Sequence, residues 1–223
     1  MKTVAVVPMK LNNERLPNKN TKAFHNGKPL CHYILSTLLE VKGIDEVYVY
    51  CSNAKIKKYI PNGVKYLSRK QSLDTASTKM NEVLKCFAQD VDADIYLMTH
   101  ATSPFIASKS IEIALELVKT GKYDSALAVQ RIQEFIWKDN RPFNYDLANI
   151  PRTQDLESLY SETSGFYIYN KEIILEHNRR IGFKPYLKEV SKIEAVDIDE
   201  PEDFQIANAI YQMMHKKEVR DEN

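Results

Sequence analysis

Lys10, Arg15 and Lys19 lie in one segment, MKLNNERLPNKN (9–20), interleaved with Asn12, Asn13 and Asn20. Three cations with amide and backbone donors between them could cradle a triphosphate, although a solvated basic loop is the plainer reading of composition alone. The segment is neither a Walker loop nor a GxGxxG turn, because it contains no glycine. Near the other end, VDIDEPEDF (196–204) spaces Asp197 and Asp199 two apart. On a strand that spacing puts both carboxylates on one side, where they would hold Mg²⁺ together with substrate phosphate oxygens. Helix capping is the competing role for the pair. Glu200, Glu202 and Asp203 follow where a first helical turn would begin, and are assigned to the helix dipole. THATSPF (99–105) offers His100, Thr102 and Ser103 after an apolar run, and the segment 152–169 carries Arg152, Gln154 and Glu162, which could meet a polar acceptor group. Structural hydrogen bonding and solvation are the plainer roles of these residues. No Ser/His/Asp or Cys/His arrangement for nucleophilic catalysis stands out.

The elements that must carry these residues alternate. TVAVVP, DEVYVYCS, VKYLS, ADIYLMTH and SALAVQ read as strands. Helices are expected at 29–41, across NAKIKKYI, at 74–89 with Asp74 or Thr75 as cap, and across SKSIEIALELVKTG with a capping serine. SGFYIYN reads as a further strand, followed by a helix at 171–180, the strand IEAVDID, and a last helix opening at Pro201. Such alternation implies an α/β fold, with a mainly parallel sheet covered by helices on both faces. A single three-layer domain across 1–223 is expected. Ligands in such sheets sit beyond the carboxyl ends of the strands, which sets the loops 9–20, 51–53 and 99–105 side by side. The stretch 131–165 breaks the rhythm and reads as a lid or a dimerisation arm.

Composition narrows the function classes. The chain has 223 residues, a net charge of +1 and 43% hydrophobic residues, so a broad nucleic-acid surface is not expected. Its 3 cysteines are odd in number and scattered (Cys31, Cys51, Cys86), which argues for a reducing compartment and against a disulfide framework or a zinc site. No apolar run reaches the length of a membrane span, and the N-terminus lacks the features of an export signal. A cytoplasmic protein is expected.

Four segments in order resemble the acylneuraminate cytidylyltransferase family, whose members make CMP-sialic acid and related CMP-activated acidic sugars. MKLNNERLPNKN matches the family's A-R-x-G-S-K-x-L-P-x-K-N loop, and SRKQSL with MTHATSPF matches R-P-x-x-L and L-Q-P-T-S-P. RTQDLESLYSETSGFYIY matches R-Q-D-L…Y-x-E-x-x-G-x-Y, and DIDEPEDF matches D-I-D-x-P-E-D-F. The resemblance runs from about Thr3 to about Ala209. It implies a Rossmann-like nucleotide-diphospho-sugar transferase fold, and transfer of CMP from CTP to an acidic sugar with release of pyrophosphate, serving bacterial cell-surface glycan synthesis. It also implies Mg²⁺ as cofactor and a homodimer, with the 131–165 excursion as dimerisation arm.

By that resemblance Lys19 and Asn20 contact the nucleotide, with Lys10, Asn12, Asn13, Ser52 and Arg69 around it, and Arg15 supplies a further cation. Asp197 and Asp199 hold the metal. His100, Thr102, Ser103 and Glu162 lie near the sugar, and Arg152 and Gln154 contact it, across the dimer. Departures are also visible. Lys10 stands for an arginine, Glu14 for a phosphate-binding lysine, His100 for a glutamine and Ser52–Asn53 for a T-D pair, while Phe105–Ile106 lacks the usual L-R. They leave open two alternatives: a phosphorylated or phosphonate acceptor, or a nucleotide-binding relative impaired by Glu14.

Overall fold

The computed structural model describes the backbone of residues 1–221 and the side chains of residues 1–214. Its centre is a seven-stranded sheet in the order β3-β2-β1-β4-β8-β5-β9. β1 (Thr3–Met9), β2 (Glu46–Cys51), β3 (Val64–Ser68) and β4 (Ile95–Met98) are mutually parallel where they pair. β5 (Ser125–Ile132) and β9 (Pro185–Glu189) are also parallel to each other. β8 (Leu159–Asn170) runs antiparallel to both of its neighbours, β4 and β5. The expected α/β architecture with a mainly parallel sheet is therefore present, with one reversed strand.

Helices close both faces because the strands present apolar side chains on each. On one face α1 (Leu30–Glu40) and α3 (Ser108–Lys119) pack Ile34, Leu38, Ile111 and Leu115 over Val7, Leu97 and Ile168. On the other, α2 (Met80–Asp90) and α4 (Lys171–Leu175) pack Leu84, Phe87 and Ile174 over Val6, Tyr96 and Tyr169. A third cluster joins Leu16, Phe24 and Leu30 to Ile198, Phe204 and Ala207, and so ties the basic loop to α5 (Pro201–Asp221). Burying Leu16 and Ile198 side chains in one cluster is worth about 1.5–3 kcal/mol each. That cluster brings the two charged segments together.

Several expected elements differ. The stretch 193–199 is not a strand: Ser191 and Glu194 cap each other's backbone N–H groups in a turn, and Ile198 N–H donates to the Thr102 carbonyl at 3.0 Å. The sheet edge is taken instead by β9, over a stretch where no strand is expected from the sequence. α2 starts at Met80 rather than 74, because Thr75 Oγ1 accepts from Thr78 N–H and Asp74 is engaged elsewhere. NAKIKKYI forms a 3-10 helix, Ala54–Tyr59. The α3 N-cap is Ala107, with no side-chain cap. α4 ends at Leu175, not 180.

β5 extends to Ile132 and β8 begins at Leu159, so the excursion is narrower than expected, 133–158. It carries a two-strand hairpin, β6 (Trp137–Lys138) and β7 (Arg141–Pro142), turned by Asp139 and Asn140, both with positive φ. Among the described residues, no helix is long and apolar enough to cross a membrane.

Candidate functional site

The loops after β1 and β4 meet the segment before α5 around a cavity of about 300 Å³. Lys10, Asn13, Lys19 and Asn20 line it from the basic loop, His100 and Thr102 from the loop after β4, Ser164 from β8, and Asp197 and Asp199 from the last crossover. Local structure explains the placement. Asn18 adopts φ +57, a left-handed conformation that asparagine tolerates, and starts the 3-10 turn Lys19–Thr21. Asn20 then donates its side-chain amide to the Lys10 carbonyl at 2.9 Å, closing the loop on itself.

Lys19 is nearly buried, and its ammonium donates to the Ile198 carbonyl at 2.8 Å and to Asp199 Oδ1 at 3.0 Å. Arg15, exposed, reaches the same carboxylate at 2.9 Å and Glu200 at 3.1 Å. Burial alone would raise the Asp199 pKa, but Lys19 and Arg15 outweigh it and hold the carboxyl below its ordinary value. Asp203 accepts from the backbone N–H of Asp199 and of Glu200, at 2.9 and 2.7 Å. It is thus engaged in capping, as the helix-dipole assignment expects, whereas Glu200 pairs with Arg15.

Asp197 accepts from Ser164 Oγ at 2.8 Å through one oxygen, while its other oxygen, Oδ1, is buried without a hydrogen-bond partner. An orphaned carboxylate oxygen beside a cavity is the kind of group a cation satisfies. Among the described residues no cluster of three or more His, Cys, Asp or Glu gathers as a metal site. Two carboxylates nevertheless fit Mg²⁺, which is commonly held by one or two of them, with waters and substrate oxygens completing the octahedron. Asp197 and Asp199 share the cavity although the strand expected to align them is absent.

A second cavity, about 410 Å³, is lined by Leu11 and Asn12 of the same loop together with Ser52, Asn53, Ala54, Gln71 and Asp74. Ser52 Oγ donates to one oxygen of Asp74, and Arg69 Nη2 and Nε reach the other at 2.7 and 3.1 Å. Arg69 is buried, so it acts on this cavity through Asp74. Asp74 is expected from the sequence only as a helix cap, and Gln71 carries no expectation, yet both line this cavity. Asp74 stands five residues after Arg69, near enough for the pairing to be a readable clue.

His100 keeps part of its surface open to the cavity. Burial, with Arg180 and Lys19 nearby, lowers its pKa to about 4 against the pull of Asp197 and Asp199, so the imidazole is neutral at pH 7. Ser103 is buried at 1% exposure with its hydroxyl unpartnered, so it sits beneath the loop and does not line the cavity. Glu162 accepts from Tyr167 at 2.6 Å and lies 3.7 Å from Arg180, two residues along β8 from Ser164. Arg152 lies on the excursion, pairs with Asp155 at 2.7 Å, and lines neither cavity; nor does Gln154. Glu14 is exposed and also lines neither, so its negative charge does not occupy the pocket that Lys10 and Lys19 face.

Known proteins share both the sequence pattern and the fold. The N-acylneuraminate cytidylyltransferase of Streptococcus agalactiae is 24% identical over 215 residues, covering 92% of this chain but 52% of the relative. The chain thus spans about half the length of that protein. CMP-N,N'-diacetyllegionaminic acid synthase of Legionella pneumophila is 27% identical over 230 residues, covering 96% of this chain and 97% of the relative. Among solved structures, a CMP:2-keto-3-deoxy-manno-octonic acid synthetase complexed with CTP superposes with a TM-score of 0.77 at 18% identity, covering 96% of this chain and 100% of that one. The sequence profile of the cytidylyltransferase family matches residues 4–220, almost the whole chain, and the chain belongs to that family.

Proposed function

We propose that this protein transfers CMP from CTP to a hydroxyl of an acidic sugar, of the sialic-acid-like or 3-deoxy-ulosonic class, and releases pyrophosphate. One observation carries the reading: Lys10, Lys19 and the two carboxylates Asp197 and Asp199 face a single cavity, with Asp197 Oδ1 unpartnered. A triphosphate needs cations, and phosphoryl transfer needs charge stabilisation more than it needs a nucleophile on the protein. The names of the relatives supply the acceptor class.

In this reading the second cavity takes the nucleoside, against Asn12, Ser52 and Gln71, with Arg69 holding Asp74 in place. Lys10 and Lys19 neutralise the triphosphate, and Arg15 is drawn from Asp199 to the same charge. Asp197 and Asp199 would hold Mg²⁺, which when bound would neutralise phosphate charge during transfer. The acceptor hydroxyl oxygen forms the new bond to the α-phosphorus. The bond to the bridging oxygen breaks, pyrophosphate departs with that oxygen, and the hydroxyl proton passes to solvent. Neutral His100 is a hydrogen-bonding partner for the acceptor. A cytoplasmic homodimer working in cell-surface glycan synthesis fits this chemistry, with the exposed apolar residues of the excursion as its contact.

The test is pyrophosphate release from CTP, UTP, ATP and GTP with Mg²⁺, each paired with acidic sugars and with phosphorylated small molecules. Release confined to CTP and an acidic sugar supports the reading. Release confined to a phosphorylated acceptor replaces it with transfer to that class. CTP binding without release for any pair rejects transfer in favour of a binding role.

A further inference from the structure

Arg180 belongs to none of the motifs that point to the nucleotide. It sits in the turn between α4 and β9, and that turn is clamped. Asn178 adopts φ +51, and its carbonyl accepts from the Asn81 side-chain amide at 2.9 Å. Phe183 and Lys184 N–H donate to Asp124 Oδ2 at 2.6 and 3.0 Å, and Gly182 N–H donates to Ser125 Oγ at 2.8 Å. A Cβ at Gly182 would lie 2.3 Å from Asp124 Oδ1, so the clamp admits only glycine there. Arg179 is used internally, donating to the Gly182 carbonyl at 3.1 Å.

The clamp sets the Arg180 guanidinium over the Tyr167 ring, 4.0 Å from its centroid, with Nη2 3.3 Å from the phenol oxygen. The neighbouring carboxylate, Glu162, is 3.7 Å away, too far for a direct hydrogen bond, and it already accepts from Tyr167 at 2.6 Å. A guanidinium carries five donor hydrogens in a fixed fork, and these contacts use few of them. The Arg180 side chain is 26% exposed. Arg180 itself lines neither cavity, but its partners Tyr167 and Glu162 lie on β8 beside Ser164, which lines the smaller cavity and holds Asp197. Consistent with that proximity, the charges of Arg180 and Asp197 both act on Tyr167 and on His100.

We infer that Arg180 is an acceptor-recognition residue whose guanidinium binds an anionic oxygen group of the acceptor, with Tyr167 and Glu162 positioning it. This rests on the cytidylyl-transfer reading, and it adds a cation separate from Lys10, Arg15 and Lys19 at the acceptor side of the reaction. The group recognised is a carboxylate on an acidic sugar or a phosphate on a phosphorylated one.

The experiment compares the wild-type protein with Arg180→Met and Arg180→Lys, using N-acetylneuraminate, 3-deoxy-manno-octulosonate, their methyl esters and a set of sugar phosphates. Pyrophosphate release yields KM for acceptor, and calorimetry with CTP yields nucleotide affinity. Arg180→Met is expected to raise the acceptor KM about tenfold or more and leave CTP affinity within about twofold, as loss of a charge-assisted hydrogen bond to one substrate requires. It should also erase the preference for the free acid over its ester, and Arg180→Lys should restore part of it. If the sugar phosphates respond in this way and the acids do not, the group is a phosphate. An unchanged acid-to-ester ratio in Arg180→Met overturns the inference, as does a parallel loss of CTP affinity, which marks a merely structural residue. A wild-type protein that binds CTP and turns over no acceptor overturns both the inference and the reading beneath it.

Discussion

The Lys19 ammonium lies 3.0 Å from Asp199 Oδ1, across 180 residues of sequence, and also donates to the carbonyl of Ile198. The nearly buried lysine thus sits between a basic loop and an acidic crossover, held there by the packing of Leu16 against Ile198 and Phe204. In a protein that binds a triphosphate, the same ammonium is in place before the substrate arrives. Lys19→Met should therefore lower kcat/KM for CTP by about 10²–10³-fold, the range for removing a preorganised charged donor. Steady-state kinetics at saturating acceptor would measure it, and a loss below tenfold would remove Lys19 from the phosphate site.

Asp197 keeps one oxygen unpartnered, and Asp199 faces the same cavity. Asp197→Asn and Asp199→Asn should each reduce turnover by about a hundredfold or more while the fold survives, as loss of a charge-stabilising ligand requires. Chelation with EDTA should stop the wild-type reaction and added Mg²⁺ should restore it. Full turnover in both variants, or in EDTA, would refute the metal assignment.

Arg69 and Asp74 form an ion pair at 2.7 Å, with side chains 5% and 11% exposed. Removing one partner of such a pair strands the other charge. Arg69→Met should cost about 3–5 kcal/mol in urea unfolding, and Arg69→Met with Asp74→Leu should cost clearly less. Equal losses in the single and double variants would show that the pair is not coupled.

His100 has a pKa lowered to about 4 by burial, against an ordinary value near 6.5 in the unfolded chain. Above pH 6.5 or so, both states carry a neutral imidazole and the group is silent. Between about pH 6.5 and 4 the unfolded chain takes up a proton that the folded one refuses, so the fold loses stability as pH falls through that window. The urea midpoint of the wild type should drop more between pH 7 and 5 than that of His100→Gln. Parallel drops would show that His100 titrates normally in the fold.

The excursion exposes Trp137, Phe143, Leu147 and Ile150, each more than half accessible. Several large apolar side chains on one projecting segment are what a subunit contact uses. Phe143→Ser with Leu147→Ser should weaken self-association at least about tenfold in analytical ultracentrifugation, in keeping with the loss of two buried apolar anchors. A monomeric wild type would refute the arm as a contact surface.

Much was legible in the order of residues. Alternating apolar strands and amphipathic helices foretold the α/β sheet, because burial on both faces leaves that periodicity in the chain. The clustering of Lys10, Lys19 and Asn20, and the spacing of Asp197 and Asp199, marked segments that do line one cavity. Charge and polarity concentrated in a short loop are local properties, and local properties are written along the chain.

Other features depend on which distant groups meet. The stretch 193–199 has the apolar spacing of a strand, yet the mutual capping of Ser191 and Glu194 makes a turn of its start, and β9 takes the edge. β8 reverses direction, which no period along its residues reveals, since strand alternation is the same in either sense. Ser103 and Arg152 carry polar chemistry in the sequence, but one is sealed beneath its loop and the other pairs with Asp155. Arg180 reads as one of two adjacent arginines until Asp124 and Gly182 clamp its turn and lay it on Tyr167. The sheet-and-helix class and the charged segments can be read along the chain, because they follow from local periodicity and composition, and the family resemblance can be read from motifs of consecutive residues. Which charges share a cavity and which carboxylate oxygen stays unpartnered became visible only in three dimensions, because both depend on distances between residues that the chain keeps far apart.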